Sequence, residues 1–196
     1  VEGNFSYTDT KGVGVRNGKV KVEDAQIFYD DELFFTYEIL ENVKVLVLNG
    51  KGTSQKYLEQ LYGLDNYYQV NSADLSTVSQ DEVFKNDLVI LNNVNSISTG
   101  LSNNLMEFYK TGGSIVVIPG PDAELNTINR FMEKFNMPKL NYSDSTSGRL
   151  SKLNSDDLLF NRVFKRVPRN VNLPEVKKHF RISTQGASGF VSLIDF

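Results

Sequence analysis

The sequence predicts an α/β fold built on a doubly wound, mostly parallel sheet, with further β-strands ahead of it. Three runs carry that reading: Val43-Lys44-Val45-Leu46-Val47-Leu48, Leu88-Val89-Ile90-Leu91 and Ser114-Ile115-Val116-Val117-Ile118. Such near-continuous apolar segments are buried on both faces of a parallel sheet. Helix-spaced apolar residues follow each run directly or after a short further strand, and strands alternating with helices give parallel βαβ units with right-handed crossovers. At 196 residues and 40% hydrophobic, the chain is long enough for one well-filled domain.

Residues 1–39 read as extended pieces without a helix. Asn17-Gly18 is a turn signal, Lys19-Val20-Lys21-Val22 alternates as a half-buried strand does, and Leu33-Phe34-Phe35-Thr36-Tyr37-Glu38-Ile39 is a second strand. Two or three strands cannot close a core of their own. Residues 1–40 are therefore expected to be the last strands of an upstream β domain, or edge strands, and 41–196 the α/β domain. No Met opens the chain, and Gly189-Phe190-Val191-Ser192-Leu193-Ile194 looks like a strand just starting. The α/β domain is expected to be cut short at its C-terminus.

The first buried run ends in Asn49-Gly50-Lys51-Gly52. A helix follows, capped by Thr53 or Ser54, with Tyr57, Leu58, Leu61 and Tyr62 on one face and Gly63 as its stop. Tyr67-Tyr68-Gln69-Val70 is a short second strand, and 88–91 the third. Leu101, Leu105, Phe108 and Tyr109 then share one helical face, which ends at Gly112-Gly113. The fourth strand, 114–118, is broken by Pro119-Gly120-Pro121-Asp122. Leu125, Ile128, Phe131, Met132 and Phe135 mark a third amphipathic helix running to about Asn136. Met137 to Arg149 turns polar and Ser-rich, a loop. Beyond it Leu158-Leu159-Phe160 and Val163-Phe164 are apolar enough to pack back, while Pro168 and Pro174 argue against a long regular element.

Composition narrows the chemistry. With no Cys, the chain has no disulfide, no thiolate nucleophile and no Cys-ligated metal, and His179 is its one histidine. Lys and Arg number 21 against 24 Asp and Glu, with a sequence pI near 5.3, which gives no electrostatic reason to expect nucleic acid. No stretch approaches the ~20 apolar residues of a membrane helix. No cofactor and no metal are expected.

Three segments resemble a known family: Val-Lys-Val-Leu-Val-Leu-Asn-Gly at 43–50, Asn-Asp-Leu-Val-Ile-Leu-Asn-Asn-Val at 86–94, and Leu-Met-Glu-Phe-Tyr-Lys-Thr-Gly-Gly-Ser-Ile-Val-Val-Ile-Pro-Gly at 105–120. They look like the class I glutamine-amidotransferase-like domain of Bacteroidetes membrane proteins that carry a BatA-type N-terminal domain. Asn161 to Phe180, with Leu173-Pro174-Glu175-Val176, is similar to the segment after that domain's third helix. Asp30-Asp31-Glu32-Leu33-Phe34-Phe35-Thr36-Tyr37 resembles the last strand of the β-sandwich preceding it. The resemblance implies a flavodoxin-like, amidotransferase-like fold in a longer protein with transmembrane helices elsewhere, this part in the periplasm and other envelope proteins as partners.

In true amidotransferases the nucleophilic Cys sits on a tight turn after a strand that looks like 114–118, with a His and a Glu farther along. Here the turn reads Pro119-Gly120-Pro121, and His179 does not follow the His-x-Glu pattern. No catalytic residue is assigned. The best candidate ligand residues are Asn49, Gly50, Asn92, Asn93, Gly120 and Asp122. If the four strands, numbered in chain order, lie as 2-1-3-4, these residues meet where such folds bind ligands. Asn49-Gly50-Lys51-Gly52-Thr53 superficially suggests a phosphate loop, but its Gly and Lys stand at the wrong spacing and a plain strand-to-helix turn is favoured. Asp30-Asp31-Glu32 reads as a turn between strands in preference to a calcium loop. His179 reads as a packing or surface residue, and the sequons at Asn4 and Asn141 as chance. Three functions are compatible with these residues: a non-catalytic binding or scaffolding module, a small-ligand sensor using the strand-end crevice, or a hydrolase built from Asp122, Ser96 or Ser98.

Overall fold

The computed structural model of the chain describes residues 7, 9, 12–21, 32–39, 41–52, 56–144, 147–150, 152–154, 173–183, 185 and 189–195. Two antiparallel strands come first, β1 (Gly14–Lys21) and β2 (Glu32–Ile39). The Asn17-Gly18 turn expected from sequence is strand interior. Asn17 pairs with Thr36, whose hydroxyl donates to Asn17 Oδ1 at 2.9 Å, and Gly18 pairs with Phe35. The Phe35 ring lies where a Cβ of residue 18 would be, so an aromatic across the ladder supplies the packing the glycine lacks. Tyr37 donates to Asp9 at 2.7 Å, and this bond raises the phenol above its ordinary 10.0. Glu32 belongs to β2 and pairs with Lys19. Asp30, Asp31 and Asn4 lie outside the described residues.

The centre of the domain is a four-stranded parallel sheet. After β3 (Val43–Asn49) come α1 (Lys56–Tyr62), β4 (Tyr68–Asp74), α2 (Gln80–Phe84) and β5 (Leu88–Val94). They are followed by α3 (Thr99–Lys110), β6 (Ser114–Pro119) and α4 (Leu125–Glu133). The strands lie as β4-β3-β5-β6, the 2-1-3-4 order expected. Right-handed crossovers then dictate where the helices go. The chain steps one way from β3 to β4, placing α1 on one face with Leu58 and Tyr62 against Val45, Val47 and Ile90. From β4 it steps the other way, so α2, α3 and α4 share the opposite face. There Val83, Leu101, Leu105, Phe108, Ile128 and Phe131 bury against Leu46, Leu48, Val89 and Leu91. Cover is unequal as a result, and Val116 and Ile118 of β6 stay 40% and 39% exposed on the α1 side.

Three local expectations need correction. β4 runs four residues beyond Val70. α2 was not anticipated, although Ser79-Gln80-Asp81-Glu82 is a capping box in which the Ser79 hydroxyl accepts from Glu82 N–H and the Glu82 carboxylate accepts from Ser79 N–H. That carboxylate is held below its ordinary 4.5, first by the Ser79 backbone N–H. The stretch expected to be a polar loop contains β7 (Lys139–Asp144) and β8 (Gly148–Arg149), and β9 (Lys152–Leu153) follows.

β10 (Glu175–Val176), β11 (His179–Ser183) and β12 (Ile194–Asp195) pair antiparallel with β8, β7 and β9. Of the strand expected over 189–194, only its last residue is in a ladder. His179 stands on β11, half-buried, beside Phe180, which packs on the larger core. Thr53, Ser54, Leu158-Leu159-Phe160, Val163-Phe164 and Pro168 lie outside the described residues.

β7 is a strand through its ladder with β11, and α4 adds a substitute partner at Leu140. The Asn129 carboxamide accepts from Leu140 N–H and donates to Leu140 C=O, both at 2.8 Å, while the Leu140 side chain is buried among Ile128, Phe131 and Met132. Asn129→Ala is expected to cost about 1–3 kcal/mol in urea unfolding, because it strips partners from two backbone groups at once. The Leu140 amide should lose its hydrogen-exchange protection in the same variant. An unchanged midpoint and an unchanged Leu140 exchange rate would contradict this anchoring.

Candidate functional site

At the carboxyl end of the sheet β3, β5 and β6 deliver Asn49, Asn92 and Pro119, and the chain leaves them through Gly50, Asn93 and Gly120. Asn93 has φ of 54°, the left-handed region that asparagine enters more readily than other non-glycine residues. One residue in that conformation shifts the register, so Asn92 faces Ile118 but Val94 faces Pro119, a bulge at the tip of β5.

The bulge ties both neighbouring loops to β5. Gly50 N–H donates to Asn92 C=O, and Gly120 N–H to Val94 C=O, each at 2.9 Å. A Cβ on residue 50 would overlap the Asn93 carbonyl oxygen. One on residue 120 would overlap Asn95 Oδ1 and lie 3.0 Å from Asn93 Oδ1. Position 50 therefore requires glycine for close approach to backbone, while a side chain at 120 would require the Asn95 amide to move. Beneath them Asn49 and Asn92 are only 7% and 8% exposed, and Asn92 Nδ2 donates to Asn49 Oδ1 at 2.8 Å. A buried amide needs partners, and these two supply one another.

Five of the six residues singled out from sequence thus come together: Asn49, Gly50, Asn92, Asn93 and Gly120. Asn49 and Asn92 meet there as a buried hydrogen-bonded pair, and Gly50 also lines an open cleft at the same end of the sheet. Asp122, the sixth, is exposed in the turn after Gly120 and makes no hydrogen bond or ion pair among the described residues. Lys178 Nζ donates to Pro121 C=O at 3.2 Å and links the start of β11 to this turn.

Open space lies beside this pair. A cleft of about 590 Å³ is lined by Gly50, Lys51, Asp74, Ser76, Asn95, Ser96 and Ser98, at or just after the carboxyl ends of β3, β4 and β5. The Ser76 hydroxyl, and then its N–H, donate to Asp74 and hold its carboxyl below the ordinary 3.8. Asp74 is accordingly a fixed anion at neutral pH and a poor proton donor. A second cleft, of about 350 Å³, opens between the start of α3 and α4, beside Ser102, Arg130 and Lys134. Ser98 borders both clefts but is the N-cap of α3, its hydroxyl accepting from Leu101 N–H at 3.2 Å. Ser96 is exposed. Among the described residues no group of three His, Cys, Asp or Glu is placed to hold a metal, and no helix is long and apolar enough to cross a membrane.

Sequence reading passed over Ser102, Arg130 and Lys134. A signal existed, since Arg130 and Lys134 are four apart at the end of a helix whose other face is apolar. No family model, curated protein or solved structure matches the chain.

The Asn49–Asn92 pair has a measurable signature. Asn92→Ala leaves the buried Asn49 Oδ1 without that donor and is expected to cost about 1–3 kcal/mol in urea unfolding. Removing both amides should cost less than the sum of the single losses, because the bond the two share is counted in each single loss. Strictly additive losses would show that the two amides do not depend on one another.

Proposed function

We propose that the chain is a non-catalytic binding or scaffolding domain of a membrane-anchored cell-envelope protein, with other envelope proteins as its partners and this part in the periplasm. On this reading the α/β domain is amidotransferase-like, and β1 and β2 are the last strands of a β-sandwich that precedes it. The observation that carries the proposal is the buried amide pair. At the place where an α/β sheet of this order takes a ligand, Asn49 and Asn92 are buried and bonded to one another.

The turn that would hold an amidotransferase nucleophile agrees with it. Pro119 ends β6, Gly120 is buried against Asn93 and Asn95, and Pro121 follows. None of the three can attack a carbonyl. The hydrolase reading loses its geometry as well, because the Ser98 hydroxyl caps a helix and Asp122 has no hydrogen bond to Ser96 or Ser98. A fold retained for its surfaces fits these facts. The sensor reading has in its favour the open cleft beside Gly50 and Lys51.

The purified protein is expected to release no product from glutamine, or from a panel of simple esters, amides and phosphoesters, beyond the rate of a Ser96→Ala/Asp122→Ala variant. Turnover by the native chain that this variant abolishes would overturn the non-catalytic assignment.

A further inference from the structure

We infer that the cleft at the carboxyl ends of β3, β4 and β5 takes a short peptide in its zwitterionic form, of dipeptide size. Its position is the first observation. The strand order reverses between β3 and β5, and sheets of this kind take ligands outside the strand ends at that point. Gly50 and Lys51 line the cleft from the β3 side, Asn95 and Ser96 from the β5 side. At about 590 Å³ it has the volume of a small-ligand site and room for more than a single amino acid. Its walls are tied in place by backbone bonds. Leu75 N–H donates to Asn49 C=O at 3.1 Å, Gly50 N–H to Asn92 C=O at 2.9 Å, and Glu124 N–H to Asn95 C=O at 2.7 Å. A ligand therefore meets a surface whose ordering cost is already met by the fold.

The second observation is the charge of the cleft. Among its lining residues Lys51 and Asp74 alone are ionisable, one of each sign, and they form no ion pair with one another. Asp74 is oriented before any ligand arrives. It closes β4 opposite Asn49, and the Ser76 N–H and hydroxyl both donate to its Oδ1, which leaves Oδ2 open. Lys51 makes no hydrogen bond or ion pair among the described residues. A lone anion in this space would meet Asp74, and a lone cation would meet Lys51. A ligand with an ammonium at one end and a carboxylate at the other satisfies both. Between the two charges the Asn95 carboxamide, which makes no side-chain hydrogen bond, suits a peptide group, and Leu75 and Leu101 give an apolar wall. No aromatic ring lines the cleft, so a nucleobase or sugar has no face to stack on.

The inference deepens the small-ligand reading of this cleft and rests on it. The test is titration of the whole chain with L-alanyl-L-leucine, followed through ¹⁵N–¹H spectra. The N-acetylated dipeptide, the dipeptide amide and free L-leucine serve as comparisons at equal ionic strength. The dipeptide should give saturable shifts at the Gly50, Lys51, Ser76 and Asn95 amides. Blocking either end should weaken binding about tenfold, and so should Lys51→Met. Asp74→Asn keeps an oxygen for Ser76 and should weaken it to a similar extent. Both variants replace exposed side chains, so resonances away from the cleft should stay in place. Blocked dipeptides or free leucine that bind as tightly, or an affinity untouched by both variants, would overturn the zwitterionic peptide and leave the small-ligand reading standing. Absence of saturable shifts with every probe would overturn both.

Discussion

The left-handed backbone of Asn93 is the constraint on which the end of the sheet depends. A residue in the ordinary extended conformation would continue β5 in register with β6. Turned into the left-handed region, Asn93 slips the register by one residue, so that Asn92 and Val94 present their carbonyls to the loops on either side. Gly50 and Gly120 answer with N–H groups; a Cβ at 50 would overlap the Asn93 carbonyl oxygen, and one at 120 would require the Asn95 amide to move. Asparagine is suited to the bulge because its short polar side chain lowers the cost of the left-handed region. Glycine is suited to position 50 because only a backbone without a side chain approaches so closely.

From that constraint follows the distribution of polar chemistry over the domain. Parallel α/β sheets leave a gap outside the carboxyl ends of the strands where the strand order reverses, and ligands ordinarily fill it. Here the gap between β3 and β5 contains Asn49 and Asn92, bonded to one another and buried. Hydroxyls, amides and charges that remain open lie beside this pair, in clefts bounded by the loop that carries Ser96 and Ser98. One cleft holds Lys51 and an Asp74 already engaged by Ser76. The other holds Arg130 and Lys134 opposite a helix start. Both compositions suit the binding of polar groups.

Much of this architecture was legible because it follows from periodicity and topology. Uninterrupted apolar runs at 43–48, 88–91 and 114–118 mark strands covered on both faces, and the crossover rule leaves few orders for them. That order in turn brings Asn49, Gly50, Asn92, Asn93 and Gly120 together before any coordinates are seen. What sequence could not supply was the sense of the meeting. An asparagine at a strand end reads equally as a ligand donor or as a partner for another asparagine, and only the bulge decides between them. The other misreadings share a cause, which is tertiary context overriding local composition. Asn17-Gly18 stays extended because Phe35 covers the glycine, and the polar stretch around Leu140 becomes a strand because β11 pairs with it and Asn129 satisfies the Leu140 backbone. The capping box that starts α2, Ser79-Gln80-Asp81-Glu82, is itself visible in the sequence. Arg130 and Lys134 were passed over because a charged helix face is ordinarily a solvated one.

The central claim is that the buried amide pair at the strand ends, with the loops tied beside it, is part of the folded core. Native-state hydrogen exchange at the Gly50 and Gly120 amides tests it most directly, since these are the groups that lock the two loops to Asn92 and Val94. Both amides are expected to exchange only through global unfolding, with the same dependence on denaturant as core amides such as those of Val47 and Ile90. Rapid exchange at Gly50 and Gly120, independent of denaturant while the core stays protected, would show a crevice that opens on its own and would contradict the account.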